Sequence, residues 1–156
     1  MIKSPESRTR VRFKDCDPLG HLYNTRFIEY MLEAREDQLI EQYNLNLMDY
    51  AEQRKMAWVL IRHEIVYLKE ARRNETVIII TQIIHTDDKS LIVEYQMWNE
   101  NKSQLKAILW SRFLHIDLIT KRTTPHPKDV QDMLDELLIP VTEVSIDERV
   151  KSLLGK

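Results

Sequence analysis

Between residues 57 and 116 the chain carries four strand-patterned segments in succession: Ala57–Leu68, Thr76–Ile84, Leu91–Trp98 and Leu105–Ile116. The most apolar of them, Val77-Ile78-Ile79-Ile80-Thr81-Gln82-Ile83-Ile84, is hydrophobic enough for a buried helix, but its β-branched content favours strand. Asp87-Asp88-Lys89-Ser90 joins the second segment to the third, and the turn cluster Asn99-Glu100-Asn101-Lys102-Ser103 follows the third. Connections this short imply antiparallel neighbours, since a parallel return needs a crossover of about a dozen residues or more. With only 2 Gly and 5 Pro in the chain, the turns must come from Asn, Asp, Lys and Ser.

Upstream, the alternation in Arg8–Lys14 predicts a short half-buried strand. A compact break follows, Asp15-Cys16-Asp17-Pro18-Leu19-Gly20-His21, in which Pro18 disfavours helix at Asp17 and Gly20 can supply a positive-φ turn. Asn24 then reads as the N-cap of a helix running to about Tyr43, with Phe27, Ile28, Met31, Leu32, Leu39 and Ile40 mostly on one side. Leu45–Met56 is polar and carries no assigned element. Pro127–Leu138 predicts a short amphipathic helix, and the tail 140–156 is compatible with a further helical turn or two. Strand, helix, then four strands is the order of an α+β domain, with one antiparallel sheet covering one main helix. The domain spans 1–139, and no internal repeat or linker divides it.

Composition narrows the function. At 156 residues, 43% hydrophobic and 31% charged, the chain has the make-up of one globular domain. A formal net charge of −2 argues against a general nucleic-acid binder. The single cysteine, Cys16, rules out an internal disulfide. The start, Met1-Ile2-Lys3-Ser4-Pro5-Glu6, does not read as a signal peptide, and no apolar run approaches the ~20 residues of a membrane helix. The expectation is a cytoplasmic protein with no membrane partner.

Asp17, Pro18, Gly20, His21, Tyr23 and Asn24 lie between a strand and a helix. A carboxylate held by a restricted loop ahead of a helix start suits acid–base or nucleophilic work, because the unpaired first-turn N–H groups can hold a developing oxyanion. On spacing alone a plainer reading carries more weight: Asp15 and Asp17 as ordinary turn residues and Asn24 as a cap.

The string Val11-Arg12-Phe13-Lys14-Asp15-Cys16-Asp17-Pro18-Leu19-Gly20-His21-Leu22-Tyr23-Asn24, continued by Phe27, Glu33, Ala34 and Arg35, resembles the opening of hotdog-fold acyl-CoA thioesterases of the 4-hydroxybenzoyl-CoA thioesterase family. Val66-Tyr67-Leu68-Lys69-Glu70-Ala71-Arg72 is similar to the family's second-strand ending, with Glu70 where a Pro is usual. Ile116–Arg122 and Pro125-His126-Pro127 match in style, so the resemblance covers roughly residues 8 to 139. It implies a five-stranded antiparallel sheet wrapped around one long helix, assembled as a dimer or a dimer of dimers with active sites at the subunit interface. It also implies hydrolysis of an acyl- or aryl-CoA thioester, with Asp17 as general base or nucleophile and the backbone N–H groups near Asn24 as the oxyanion site. An acyl-carrier-protein thioesterase and a non-catalytic acyl-thioester binding protein are the alternatives on the same fold.

The remaining candidates divide between chemistry and structure. His21 is expected to contact the acyl group or orient water, with a surface or capping role as the counterpart. Gly20, Tyr23, Lys89 and Ser90 are expected to meet substrate. At the turn where the resemblance implies a basic cluster for the nucleotide, only Lys89 keeps the character, beside Asp87 and Asp88. Cys16 lacks an obvious base and sits between carboxylates, which oppose a thiolate. Asp15 is expected to accept loop N–H bonds, and Glu33 to pair with Arg35 or a neighbouring subunit. His85 near Asp87-Asp88, and His115 two before Asp117, can be drawn as metal pairs, but too few ligands converge to claim a metal. No cofactor is expected.

Overall fold

The computed structural model describes residues 1–155. Five strands, β1 (Glu6–Arg10), β2 (Met56–Tyr67), β3 (Thr76–Thr86), β4 (Ser90–Asn99) and β5 (Leu105–Asp117), form one antiparallel sheet in the order β1-β3-β4-β5-β2. Helix α1 (Asn24–Tyr43) lies against one face of it. This is the hotdog arrangement that the Asp-x-Asp loop implied. Among the described residues no helix is long and apolar enough to cross a membrane.

α1 buries Phe27, Tyr30, Met31, Ala34, Arg35 and Gln38, the i, i+3, i+4, i+7 spacing of a single helical face. That face meets the inward side chains of the sheet, Val77, Ile79, Val93, Tyr95, Met97, Ala107 and Leu109 among them. The helix stops at Asn44, whose left-handed backbone (φ 51°) turns the chain. The four long strands fall within two residues of their predicted bounds, because period and β-branching act locally.

Three expectations need correction. The first strand ends at Arg10 rather than Lys14. The backbone N–H of Arg12 donates to the Tyr30 hydroxyl at 3.1 Å, leaving the ladder, and Phe13–Asp15 closes into a 3-10 turn. Asn24 is not a side-chain cap: Tyr23 holds the N-cap position, and its carbonyl accepts the Arg26 N–H at 2.8 Å. The polar stretch after Tyr43 forms helix α2 (Leu47–Arg54), where the Asn46 side chain accepts the N–H groups of Met48 and Asp49.

Helix α3 (Lys128–Leu137) has Pro127 at its N-cap and sends Val130, Leu134 and Leu137 into the main core. The tail holds a real helix, α4 (Ile146–Leu153), capped by Ser145. It packs on the opposite face of the sheet through Ile146, Val150 and Leu153 against Val66, Ile108 and Trp110. Beneath it the fully buried Glu94 carboxylate accepts from Arg149, Trp110, Gln82 and Gln96 at 2.7–3.1 Å.

Candidate active site

The chain between β1 and α1 is a set of self-closing turns. Asp17 Oδ1 accepts the N–H of Leu19 at 2.9 Å and of His21 at 3.0 Å, while the Asp17 N–H donates to the His21 carbonyl at 2.8 Å. Gly20 adopts φ +79°, the left-handed turn that its lack of a Cβ permits. The loop is anchored at both ends, by the Tyr23 N–H on the Asp15 carbonyl and the Leu22 N–H on the Ala71 carbonyl. Asp17 is thereby half-buried with one oxygen committed. Among the described residues, Oδ2 has no partner.

Asp17, His21 and Asn24 line one cleft of about 290 Å³, together with Phe27, Tyr67 and Glu70. Among the described residues the N–H groups of Asn24 and Thr25 bond no acceptor, as the first turn of a helix leaves them. Partial positive charge gathers there, beside the carboxylate. The Tyr67 hydroxyl donates to the Asn24 carbonyl at 2.8 Å. His21 Nε2 stands 3.6 Å from Glu70, and Arg72, followed by His21, holds the Glu70 carboxyl below its usual range. Tyr23 is exposed at the N-cap.

Asp15 does not line this cleft. It is buried, and burial pushes its carboxyl up, but hydrogen bonds from Tyr30 and Lys14, with the charges of Lys14 and Arg26, hold it below the ordinary value. The same Tyr30 hydroxyl, buried against that carboxylate, is pushed up to about 12. Besides the Arg12 carbonyl contact of its Sγ, Cys16 has its thiol raised by burial and by Asp17, which leaves it a poor nucleophile.

Lys89 and Ser90 lie at the other end of β3, a strand whose length carries them roughly 30 Å from the Asp17 loop of the same chain. Ser90 is buried, and its hydroxyl donates to Asp87 Oδ2 at 2.7 Å, so it stabilises its own turn. Lys89 is exposed there, with Arg112 nearby on Ser90. Glu33 does not pair with Arg35: it is exposed, whereas Arg35 turns inward.

The model of the thioesterase-like superfamily matches residues 11–134, most of the chain. The chain belongs to that superfamily. The long-chain acyl-CoA thioesterase FadM of Escherichia coli (strain K12) is 24% identical over 133 residues, covering 85% of this chain and 98% of the relative. YbaW, a probable thioesterase from Escherichia coli, superposes with a TM-score of 0.70 at 25% identity, covering 85% and 94% of the two chains. Slr0204, a 1,4-dihydroxy-2-naphthoyl-CoA thioesterase from Synechocystis, does so with a TM-score of 0.78 at 20% identity, over 86% of this chain and 97% of that one.

Tyr67 and Glu70 line the cleft without having been singled out from the sequence as site candidates. They reach the cleft because β2 ends beside the start of α1, a placement set by sheet order and not by any local pattern. A second group also went unseen. Trp58 stacks on Tyr50 at 4.7 Å, His115 and His126 lie 4.8 Å apart, and Trp58 Nε1 donates to His126 Nε2 at 2.9 Å. His115 answers to Tyr50 and the Thr124 carbonyl, not to Asp117, whose carboxylate caps its own turn.

Proposed function

We propose that this protein is an acyl-CoA thioesterase in which Asp17 and the first turn of α1 carry the reaction. The observation behind this is the shared cleft: a half-buried carboxylate with one free oxygen beside the unpaired N–H groups of Asn24 and Thr25. A thioester carbonyl at those donors gains stabilisation as its oxygen becomes an oxyanion, typically ~3 kcal/mol per donor. Asp17 Oδ2 takes a proton from the attacking water; the C–S bond then breaks, releasing CoA thiol and a carboxylate. Direct attack by Asp17, with water resolving the anhydride, uses the same atoms. Family membership and the acyl-CoA thioesterase named among the relatives favour CoA over an acyl carrier protein.

The site is completed in a homodimer. β2 is an edge strand whose Val59, Leu60 and Ile61 are 36%, 43% and 50% exposed, an apolar edge that pairing with a second copy would cover. Antiparallel pairing centred on the irregularity between Leu60 and Arg62 brings the Tyr67 end of one β2 beside the Met56 end of the other. The second copy's β3–β4 turn, with Lys89, then approaches the cleft from outside and can meet the phosphates of CoA.

The test is thiol release from short-chain, long-chain and aromatic acyl-CoAs, run beside Asp17→Asn. Turnover on one class, reduced at least ~100-fold in the variant, supports the reading. An unchanged rate in Asp17→Asn removes Asp17 from the chemistry. A folded protein inactive on every acyl-CoA shifts the function to carrier-protein substrates or to ligand binding.

A further inference from the structure

Arg35 is 7% exposed on the inward face of α1, in the half of the helix remote from the Asp17 cleft. It lines a cavity of about 220 Å³ whose other walls are almost wholly apolar, including Leu39, Trp58, Val93, Phe113 and Leu134. A guanidinium carries five N–H donors. One of its nitrogens donates to Thr81 Oγ1 at 2.9 Å, and its carbon lies 5.8 Å from the Tyr43 ring centroid. Among the described residues no carboxylate comes within 4.0 Å of it. Glu36 also borders the cavity, but it is exposed and makes no ion pair with Arg35.

Buried charges are ordinarily paired, because an isolated one loses several kcal/mol of hydration. Thr81 and Gln38 are already engaged with one another, and Gln38 with Ser7 and the Ile79 carbonyl, so nothing in this network can neutralise the cation. Burial presses the guanidinium below its usual value, yet arginine does not give up its proton in a protein. A full positive charge therefore borders an apolar chamber with donors to spare.

We propose that this chamber binds an aliphatic monocarboxylate, its carboxylate paired with Arg35 and its chain lying against Leu39, Trp58, Phe113 and Leu134. The size limits the ligand: 220 Å³ holds about seven non-hydrogen atoms at the ~30 Å³ a water molecule takes in the liquid. An eight-carbon acid, with ten non-hydrogen atoms, fits only if half-buried Leu39 and Met133, which line the chamber, shift outward. Within one chain the site is distinct from the Asp17 cleft, since α1 climbs about 16 Å between Asn24 and Arg35. Thioester hydrolysis releases an acid of this class, so on the proposed function the chamber takes the reaction's product. The binding claim itself does not require turnover.

Isothermal titration of the full-length protein with octanoate and with octan-1-ol tests this, using Arg35→Met and Leu39→Trp as variants. The expected result is saturable octanoate binding, one per chain, at least ~10-fold tighter than the alcohol, the lower end for a hydrogen bond to a charged group. Arg35→Met should erase that preference, and Leu39→Trp, which fills the chamber, should abolish both. Equal affinity for the two ligands in the unmodified protein overturns the proposal, as does octanoate binding that survives Leu39→Trp, or no binding at all. Neither the wild-type contrast nor Leu39→Trp depends on Arg35→Met folding. Octanoate binding without thioesterase turnover would refute the proposed function alone, and turnover without octanoate binding would refute this inference alone.

Discussion

The hydroxyl of Tyr67 donates to the carbonyl of Asn24 across 2.8 Å, tying the last residue of β2 to the first residue of α1. In the proposed reaction Asn24 contributes its N–H to the oxyanion position, and this bond would orient the peptide beside the reacting centre. Tyr67 is half exposed, and its ring meets Phe27 edge-on at 5.2 Å. Tyr67→Phe keeps that packing and deletes the bond. A stability loss of about 0.5–1.5 kcal/mol is expected, with a drop in kcat larger than the change in KM. Chemical denaturation and acyl-CoA kinetics on the same variant check both parts.

On the proposed function Asp17 carries two duties that substitution can separate. Its Oδ1 holds the Leu19 and His21 N–H groups, and an asparagine carbonyl can do the same, while an alanine cannot. Asp17→Asn should therefore keep the unfolding midpoint of the parent and lose activity. Asp17→Ala should lose activity and about 1–3 kcal/mol of stability, from loop N–H groups left without a partner. Equal stability of the two variants would show that the turn does not depend on this carboxylate.

Acid sensitivity should begin at the histidines. Burial lowers the pKa of His115 below its ordinary 6.5, with His126 adding to the effect and the Thr124 carbonyl opposing it; burial lowers His63 as well. The unfolded chain then binds more protons than the folded one, so stability falls as pH drops below about 6.5 and levels off for these groups below their folded values. The lowered carboxyls of Asp15, Asp87 and Glu143 act in the same sense only nearer their reference values of 3.8 and 4.5. Tm should thus decline between pH 7 and pH 5, by roughly 2–4 °C for each kcal/mol lost. His115→Gln should flatten part of that slope in a thermal scan.

The tail is held by charge. Arg149 on α4 supplies two hydrogen bonds, at 2.9 and 3.1 Å, to a Glu94 that has no exposed surface. Arg149→Met leaves the carboxylate with neutral donors only, and breaking a buried pair in this way costs about 3–5 kcal/mol. Trp110, Gln82 and Gln96 still donate, so the lower end is expected. The double variant with Glu94→Gln should recover part of the loss in urea denaturation.

The β2 edge gives a separate handle on assembly. Ile61→Lys places a charge on the half-exposed apolar edge, which opposes strand addition. Sedimentation should find a folded monomer, and acyl-CoA turnover should fall with the dimer fraction. A dimer undiminished by that change would move the interface elsewhere.

By itself the sequence determined what depends on neighbours along the chain. The β-branched runs became β2 to β5 nearly at their predicted bounds, and Asp17-Pro18-x-Gly20 became a closed turn ahead of a helix. Period, proline restriction and positive φ all act over a few residues. Tertiary structure decided what depends on residues far apart. Tyr30 reached back 18 positions to divert Arg12 from the first strand, and Glu94 waited 55 positions for Arg149. The pattern of α1 marked an apolar stripe; only the sheet beneath it showed that Arg35 belongs to the buried face and, among the described residues, lacks a carboxylate partner there. Likewise Lys89 and Asp17 sit on loops whose separation in space is set by the length of β3. Such distances follow from strand order and register, which come from the whole sheet burying one face at once, and no local segment carries that information.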